Sequence, residues 1–421
     1  MKTAPRFDIL ESGKPRDAAT LKTPTFADFP CLFILPSRRK TPILRRLSHP
    51  LNFDRFTTFD RRETPPNHPE TQPMAKRAAK KFPKLHNATW PGVVGKGCGD
   101  GEPCVDLKTM LDLTSGADVD GTKFDGFDLF LAPPHFDLAN PDAEIEKLVQ
   151  YCADYQLEIG SLVANVWSGS AIGAEEKRAA FLGAVDEACA IGRKLRDAGI
   201  RPNGCVRIDS SCSVDDWARD PETNQAQLVE TFKAACEIAM KYDEMLAMEG
   251  EICWGGMHSW RRCVEVLEKV DLPQVLGFQA DMSHTLLFLL GANAPEDRLV
   301  PDDFDWADVE TFDAAYAKMT KALRPWTIDF HVAQNDGTVF GSGAHDKTGR
   351  HCLPKDPNGK LDVVKYAKYW LLDEDTGKPS KRFNHLCWDG CMFPNAAMLD
   401  PQTWNDVLET MKNVRTECGW N

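Results

Sequence analysis

Four apolar stretches in the C-terminal half of this 421-residue chain each carry a carboxylate or an imidazole near their end. The four side chains are Glu251, Asp281, His331 and Asp389. Three carboxylates and one imidazole suit Mn²⁺, Mg²⁺, Fe²⁺ or Co²⁺ better than a structural zinc. Charges buried together need a compensating cation. The set therefore predicts a divalent metal site.

Other polar residues accompany these four. Glu249 precedes Glu251 by two positions, so both side chains are expected on one strand face, with Glu251 binding the metal and Glu249 orienting a ligand. Arg207 ends an earlier apolar stretch. We expect it to bind a substrate phosphate or hydroxyl, or to pair with a neighbouring aspartate. His86, in the first apolar stretch, is expected to face the same opening and to bind substrate.

Eight short β-type stretches position these residues, with helical patterns between them. The predicted strands are Lys84–Trp90, Phe124–Ala132, Glu158–Trp167, Gly204–Asp209, Met245–Ile252, Val275–Met282, Thr327–Gln334 and His385–Phe393. The predicted helices, with apolar residues every three or four positions, are Ala174–Ala198, Gln225–Tyr242, Trp260–Val270, Phe312–Leu323 and Trp404–Glu417. Such alternation is typical of parallel βαβ units.

Over about 340 residues this alternation predicts a single (β/α)8 TIM barrel, whose chemistry lies at the C-terminal ends of the strands. A doubly wound open sheet is the alternative. It loses support because no G-x-G-x-x-G follows the first strand and no G-x-x-x-x-G-K-[ST] occurs in the chain.

The first 73 residues differ from the remainder. They hold 11 of the 28 prolines and carry 13 Lys and Arg against 8 Asp and Glu. This Pro-rich, basic composition without periodicity predicts a disordered extension, followed by a barrel domain over residues 74–421.

Composition also excludes several function classes. The formal net charge is −13, which argues against nucleic acid as a partner. No run of 18 uncharged apolar residues occurs, so no membrane span is predicted. The 14 cysteines form no CxxC pair, and their spread suits reduced thiols in the cytoplasm.

Three motifs together give the chain a family resemblance. They are Glu251-Ile-Cys-Trp-Gly-Gly, Asp281-Met-Ser-His284 and His331-Val-Ala-Gln-Asn-Asp336, of which Asp-x-x-His is the most specific. With them the sequence resembles the sugar phosphate isomerase/epimerase family of xylose isomerase-like TIM barrels, over roughly residues 84 to 418. The chain differs in having the shorter Asp389 where that family usually has a strand-8 glutamate.

The resemblance implies a mechanism. A sugar or keto-sugar binds a divalent metal, Mn²⁺ first and otherwise Mg²⁺, Co²⁺, Fe²⁺ or Zn²⁺, through its carbonyl and a neighbouring hydroxyl. The metal stabilises an enediolate. Glu251 or a neighbouring acid removes the proton next to the carbonyl, and Asp389 or a histidine of the loop after strand 7 returns one. His284 stabilises a substrate oxygen.

Asp336 is expected to contact the sugar. Trp254 and Trp388 are expected either to stack on the sugar ring or to pack in the core. The long loop Gly337–Lys360 contains His345, Asp346, Lys347, Arg350 and His351. It is expected to form either a lid over the site or a solvated loop. Related barrels often form dimers or tetramers, which leaves a homo-oligomer open.

Three alternatives to the isomerase hypothesis stay open at this point. A metal-dependent lyase or dehydratase on a keto-sugar or keto-inositol would use the same proton abstraction. A relative of endonuclease IV would cleave DNA, which the negative charge disfavours. A sugar-binding barrel without catalysis would fit the replacement of a catalytic glutamate by Asp389.

Overall fold

Eight parallel strands close into a barrel. The structure, a computed structural model, describes residues 83–90, 102–339, 351–380 and 382–420. The predicted extension over residues 1–73 lies outside this range, as do His345, Asp346, Lys347 and Arg350. The strands are β1 (Lys84–Thr89), β2 (Gly126–Phe130), β3 (Glu158–Val163), β4 (Val206–Ile208), β5 (Leu246–Glu249), β6 (Leu276–Asp281), β7 (Thr327–Val332), β8 (Gln334–Asn335), β9 (His351–Cys352) and β10 (His385–Trp388). All except β8 and β9 belong to the barrel.

Helices follow the barrel strands along the chain. They are α1 (Leu107–Gly116), α2 (Pro141–Tyr155), α3 (Glu175–Asp197), α4 (Val214–Arg219), α5 (Pro221–Lys241), α6 (Trp260–Val270), α7 (Met282–Leu289), α8 (Val309–Leu323), α9 (Val363–Leu371), α10 (Asn395–Met398) and α11 (Pro401–Glu417). Within the described ranges, no helix is both long and apolar enough to cross a bilayer. The cysteines in the same ranges are free thiols.

The barrel closes where the first strand pairs with the last. The strand order is β1-β10-β7-β6-β5-β4-β3-β2, and Lys84 of β1 lies in register with His385 of β10. An open sheet has no such pairing, so the TIM-barrel prediction is confirmed. Each of the eight predicted strands is a barrel strand, and all eight are shorter than predicted.

Some elements escaped the sequence patterns for physical reasons. Helix α7 starts directly after β6, and all eight of its residues are buried. A helix buried on every side has no polar face, so it lacks the amphipathic period that marked α3 and α5. Strands β8 and β9 pair as a small antiparallel sheet that brackets the long insertion after β7.

Strand alternation divides the side chains between an apolar outer layer and a polar interior. On β10, Leu386 and Trp388 belong to the main hydrophobic cluster between strands and helices. His385 alternates with these residues along β10, and its Nε2 lies 3.3 Å from Asp128 Oδ1 of β2. Trp388 is fully buried in that cluster, so the expectation that it stacks on a sugar is wrong. The polar residues are concentrated on the inner face.

A buried ion pair ties the N-terminal ends of three strands together. Arg201 Nη1 lies 2.7 Å from Glu244 Oε1, and both side chains are fully buried. The same guanidinium donates to the backbone oxygens of Gly160, on β3, and Cys205, before β4. Glu244 lies just before β5. This pair therefore fixes how β3, β4 and β5 start.

We expect Glu244→Gln to lower the free energy of unfolding by about 3 kcal/mol, because it leaves the buried charge of Arg201 uncompensated. The matched control is Glu417→Gln, which breaks the half-exposed Lys368–Glu417 pair and should change stability by less than about 1 kcal/mol. Urea denaturation of both variants measures the difference. Equal effects would show that the buried pair is not needed.

Candidate active site

Asp281 lies at the junction of β6 and α7, and each of its two oxygens has a different role. Oδ1 caps the helix by accepting hydrogen bonds from the backbone N–H of Ser283 (2.6 Å) and His284 (3.3 Å). Oδ2 has no hydrogen-bond partner in the described part of the chain and lies 3.4 Å from His331 Nδ1. The cap therefore aims the second oxygen at the histidine.

Asp389, directly after β10, repeats this arrangement. Its Oδ1 accepts a hydrogen bond from the backbone N–H of Cys391 at 2.8 Å. Its Oδ2 lies 3.3 Å from the same His331 Nδ1. Two carboxylates on strands either side of β7 thus turn one oxygen each towards one imidazole nitrogen. Three of the four residues predicted as metal ligands therefore lie close together.

The fourth predicted ligand, Glu251, belongs to a group next to them. Carboxylate oxygens of Glu249 and Glu251 and a ring nitrogen of His284 all lie within 4.8 Å of one another. Arg207 forms a buried ion pair with Glu249, the last residue of β5. That pair engages Glu249, whereas Glu251 lies beyond the strand. Glu251 Oε2 accepts a hydrogen bond from Cys253 Sγ at 3.7 Å, and Glu251 stays our predicted ligand.

His351 completes the cluster, although the sequence marked it only as part of a polar loop. Strand β9 pairs His351 with Asn335 of β8, which returns the insertion to the barrel mouth. Its Nδ1 donates a hydrogen bond to the backbone oxygen of Asp389 at 3.2 Å. Its ring centroid lies 5.0 Å from that of His284. Only the density of polar residues in the loop could have suggested this role.

We call Glu251, Asp281, His284, His331, His351 and Asp389 the mouth cluster. The other predicted site residues lie elsewhere or have other partners. His86 contacts Asp128, and its register with Cys387 places it deeper in the barrel than Asp389. Trp254 is half-buried after Glu251. Asp336 Oδ1 accepts a hydrogen bond from the backbone N–H of Thr338.

The electrostatics of the mouth cluster follow from its burial. Burial alone would raise the pKa of Asp389, but the imidazoles of His351 and His331 outweigh it and lower the pKa. Burial opposes protonation of His331, yet Asp128, Asp281 and Asp389 together raise its pKa well above the ordinary value. For His284, burial dominates and lowers the pKa.

These residues fit a divalent cation. The carboxylates of Glu249, Glu251, Asp281 and Asp389 are all buried, and the Arg207 guanidinium forms an ion pair with that of Glu249. Asp281 Oδ2 and His331 Nδ1 lack hydrogen-bond partners within the described residues. An excess of buried negative charge with unsatisfied donor atoms is what a metal ion compensates.

The metal-stripped protein has a testable pH dependence. Because the folded pKa of His331 is raised, its protonation stabilises the fold fully below the unfolded value of about 6.5. That contribution falls as the pH rises from there and is lost above the folded pKa. We expect the stability gap between wild type and His331→Gln to be larger at about pH 6 than at about pH 9. Urea titration of chelated protein measures it, and a gap that is constant with pH would contradict it.

Several solved structures are similar to this barrel. No curated protein matches the chain. A D-tagatose 3-epimerase-like protein is similar at 12% identity, covering 79% of this chain and 98% of its own, with a TM-score of 0.50. The IOLI protein with a binding zinc atom is 12% identical, covering 79% and 98%, with a TM-score of 0.51. A xylose isomerase-like TIM barrel protein from Mycobacterium smegmatis in complex with magnesium is 14% identical, covering 82% and 100%, with a TM-score of 0.51.

At these identities the structural likeness establishes the fold alone. The sequence adds the family, since the model of the xylose isomerase-like TIM barrel matches residues 117–355, more than half of the chain. Strands β1 and β10, which close the barrel, lie outside that match and are provided by the structure. The chain belongs to the xylose isomerase-like TIM barrel family.

Proposed function

We propose that this protein is a divalent-metal-dependent isomerase or epimerase that acts on a sugar or keto-sugar by proton transfer. One observation carries the proposal: Oδ2 of Asp281 and Oδ2 of Asp389 both face Nδ1 of His331, at 3.4 and 3.3 Å. A carboxylate and an imidazole, Glu251 and His284, lie next to this meeting point.

The metal would be held by Glu251, Asp281, His331 and Asp389. When bound, it would act as a Lewis acid on the substrate carbonyl. Two of the similar structures are described with zinc and with magnesium, which supports a divalent ion without selecting one. Mn²⁺ stays our prediction from the mixed donor set, with Mg²⁺, Co²⁺, Fe²⁺ and Zn²⁺ as alternatives.

Two groups of the mouth cluster would move the proton. Glu251, beyond the end of β5, takes the proton from the carbon next to the carbonyl. Asp389 and His351 contact each other, and one of this pair returns a proton to the substrate. A proton removed and returned changes the configuration or position of the carbonyl without changing the mass.

His284 would bind a substrate oxygen as a neutral imidazole. Burial lowers its pKa, so the ring donates a hydrogen bond without carrying charge. Trp254 and Asp336 remain our proposed sugar contacts. Arg207 already pairs with Glu249, which favours an unphosphorylated substrate. We place the enzyme in the cytoplasm, in agreement with its free thiols, with a small-molecule sugar as its partner.

Solvent-proton exchange tests the reaction directly. In D₂O with added Mn²⁺, a panel of free ketoses and aldoses should yield at least one sugar that incorporates deuterium next to its carbonyl. The product should have the unlabelled sugar's composition apart from the exchanged hydrogen. Loss of water or of a fragment would show a dehydratase or lyase instead. Binding of a sugar without exchange would show a binding protein.

Variants then assign the residues. Glu251→Gln should lower the exchange rate by roughly 10²- to 10⁴-fold, because a positioned general base contributes about this much. Asp281→Asn should lose the bound Mn²⁺ together with activity. Asp406→Asn is the matched control, since Asp406, on α11, pairs with Lys355 at the surface. Full activity in Glu251→Gln would contradict its assignment as the base.

A further inference from the structure

A second group of buried polar side chains lies deeper in the barrel, where the first and last strands pair. It consists of His86 on β1, Asp128 on β2 and His385 on β10, and we call it the seam cluster. His86 Nδ1 and His385 Nε2 lie 3.2 and 3.3 Å from the same atom, Asp128 Oδ1. His331 Nε2 lies 3.6 Å from Asp128 Oδ2, so a single imidazole separates this cluster from the mouth cluster.

Hydrogen bonding leaves the seam cluster incomplete. His86 Nε2, His385 Nε2 and Asp128 Oδ2 are buried and have no hydrogen-bond partner among the described residues. The two imidazole rings stack with centroids 4.4 Å apart and planes inclined by 25°. Buried polar atoms nearly always have a partner, so this concentration of unsatisfied atoms favours a ligand-binding site.

The charged side chains nearby indicate the charge of the ligand that this site would bind. Glu158 approaches His86 Nε2 at 3.7 Å but forms an ion pair with Lys84. Asp329 approaches His385 Nε2 at 3.5 Å. In the metal-bound form the cation would displace the imidazole protons, and Asp128 and Asp329 would then carry two buried negative charges. One divalent cation would balance both.

The dimensions of the cluster agree with zinc-type coordination. In a tetrahedral site with bonds of about 2.0 Å, neighbouring ligand atoms lie about 3.3 Å apart. Asp128 Oδ1 lies 3.2 Å from His86 Nδ1, a hydrogen bond in the metal-free protein, and 3.3 Å from His385 Nε2. The same oxygen also accepts a hydrogen bond from the backbone N–H of Ser161 at 3.1 Å, which orients the carboxylate. The backbone leaves room for this arrangement, because a Cβ at Gly126 or Gly160 would overlap the His86 ring.

We propose that the seam cluster binds a divalent cation of the zinc class through His86, Asp128 and His385. Two imidazoles and a carboxylate are a typical zinc donor set. The ion joins β1 and β2 to β10, and therefore holds the two ends of the barrel together across its closing seam. Its role is to stabilise the closed barrel, in addition to the metal proposed at the mouth.

The cation has its own route to this site. A cavity of about 380 Å³ opens at the N-terminal end of the barrel, where residues that precede or begin β4, β5, β6, β7 and β10 line it. Asp329 and His385 are among the lining residues. Exchange through this cavity does not require passage through the mouth cluster.

Counting ions in separate variants tests the proposal. The full-length chain is loaded with Zn²⁺, desalted and analysed for zinc by elemental analysis. Wild type should hold about two ions per chain. The double variant Asp281→Asn/Asp389→Asn, which leaves the seam cluster intact, should keep one. Adding His385→Ala or His86→Ala to that double variant should remove the remaining ion. Circular dichroism checks that each variant folds.

Absorption spectroscopy and thermal melting provide two further measurements of the ion at the seam cluster. Co²⁺ in the double variant should give the intense visible absorption of four-coordinate cobalt, and Zn²⁺ should raise its Tm. A double variant without zinc would overturn the proposal and favour two protonated histidines as the compensating charge. Zinc that persists after both His86→Ala and His385→Ala would overturn it equally. Loss of the mouth ion alone leaves the ion of the seam cluster in place, so the two sites are tested separately.

Discussion

Buried negative charge is the constraint on which the rest of this structure depends. A TIM barrel usually fills its interior with branched apolar side chains. This barrel instead buries carboxylates and imidazoles along much of its axis, among them Asp128, Glu249, Asp281, Asp329 and Asp389. Ionised groups in such a place require cations or protons close by. Arg207 supplies one such charge, and the imidazoles of His86 and His331 have raised pKa values for the same reason.

His331 links the two halves of this interior. Its Nδ1 faces Asp281 and Asp389 at the mouth, and its Nε2 faces Asp128 below. With its proton on Nε2, which lies 3.6 Å from Asp128 Oδ2, the ring would present Nδ1 to a cation, and carboxylates orient metal-binding histidines in this way in many proteins. Our two proposed sites are thus neighbours that share the orientation of one ring.

The sequence predicted the barrel and most of the mouth cluster because both follow local rules. An apolar strand that ends in an acid or an imidazole can be recognised within a few residues of sequence, and parallel strands bring those ends together. Asp281, His331 and Asp389 were found in this way. His351 was not, because its position depends on the pairing of β9 with β8 across the insertion. The seam cluster was missed because His86, Asp128 and His385 meet only through strand register and closure, which no local pattern encodes. His86 was accordingly assigned to the mouth.

The central claim is that a divalent metal binds where Asp281, His331 and Asp389 meet. Anomalous diffraction from crystals grown with Mn²⁺ tests it most directly, because the signal locates the ion without reference to activity. The account predicts an anomalous peak within bonding distance of His331 Nδ1 and of Oδ2 of both aspartates. Crystals saturated with Mn²⁺ that show no peak among these three atoms would contradict it.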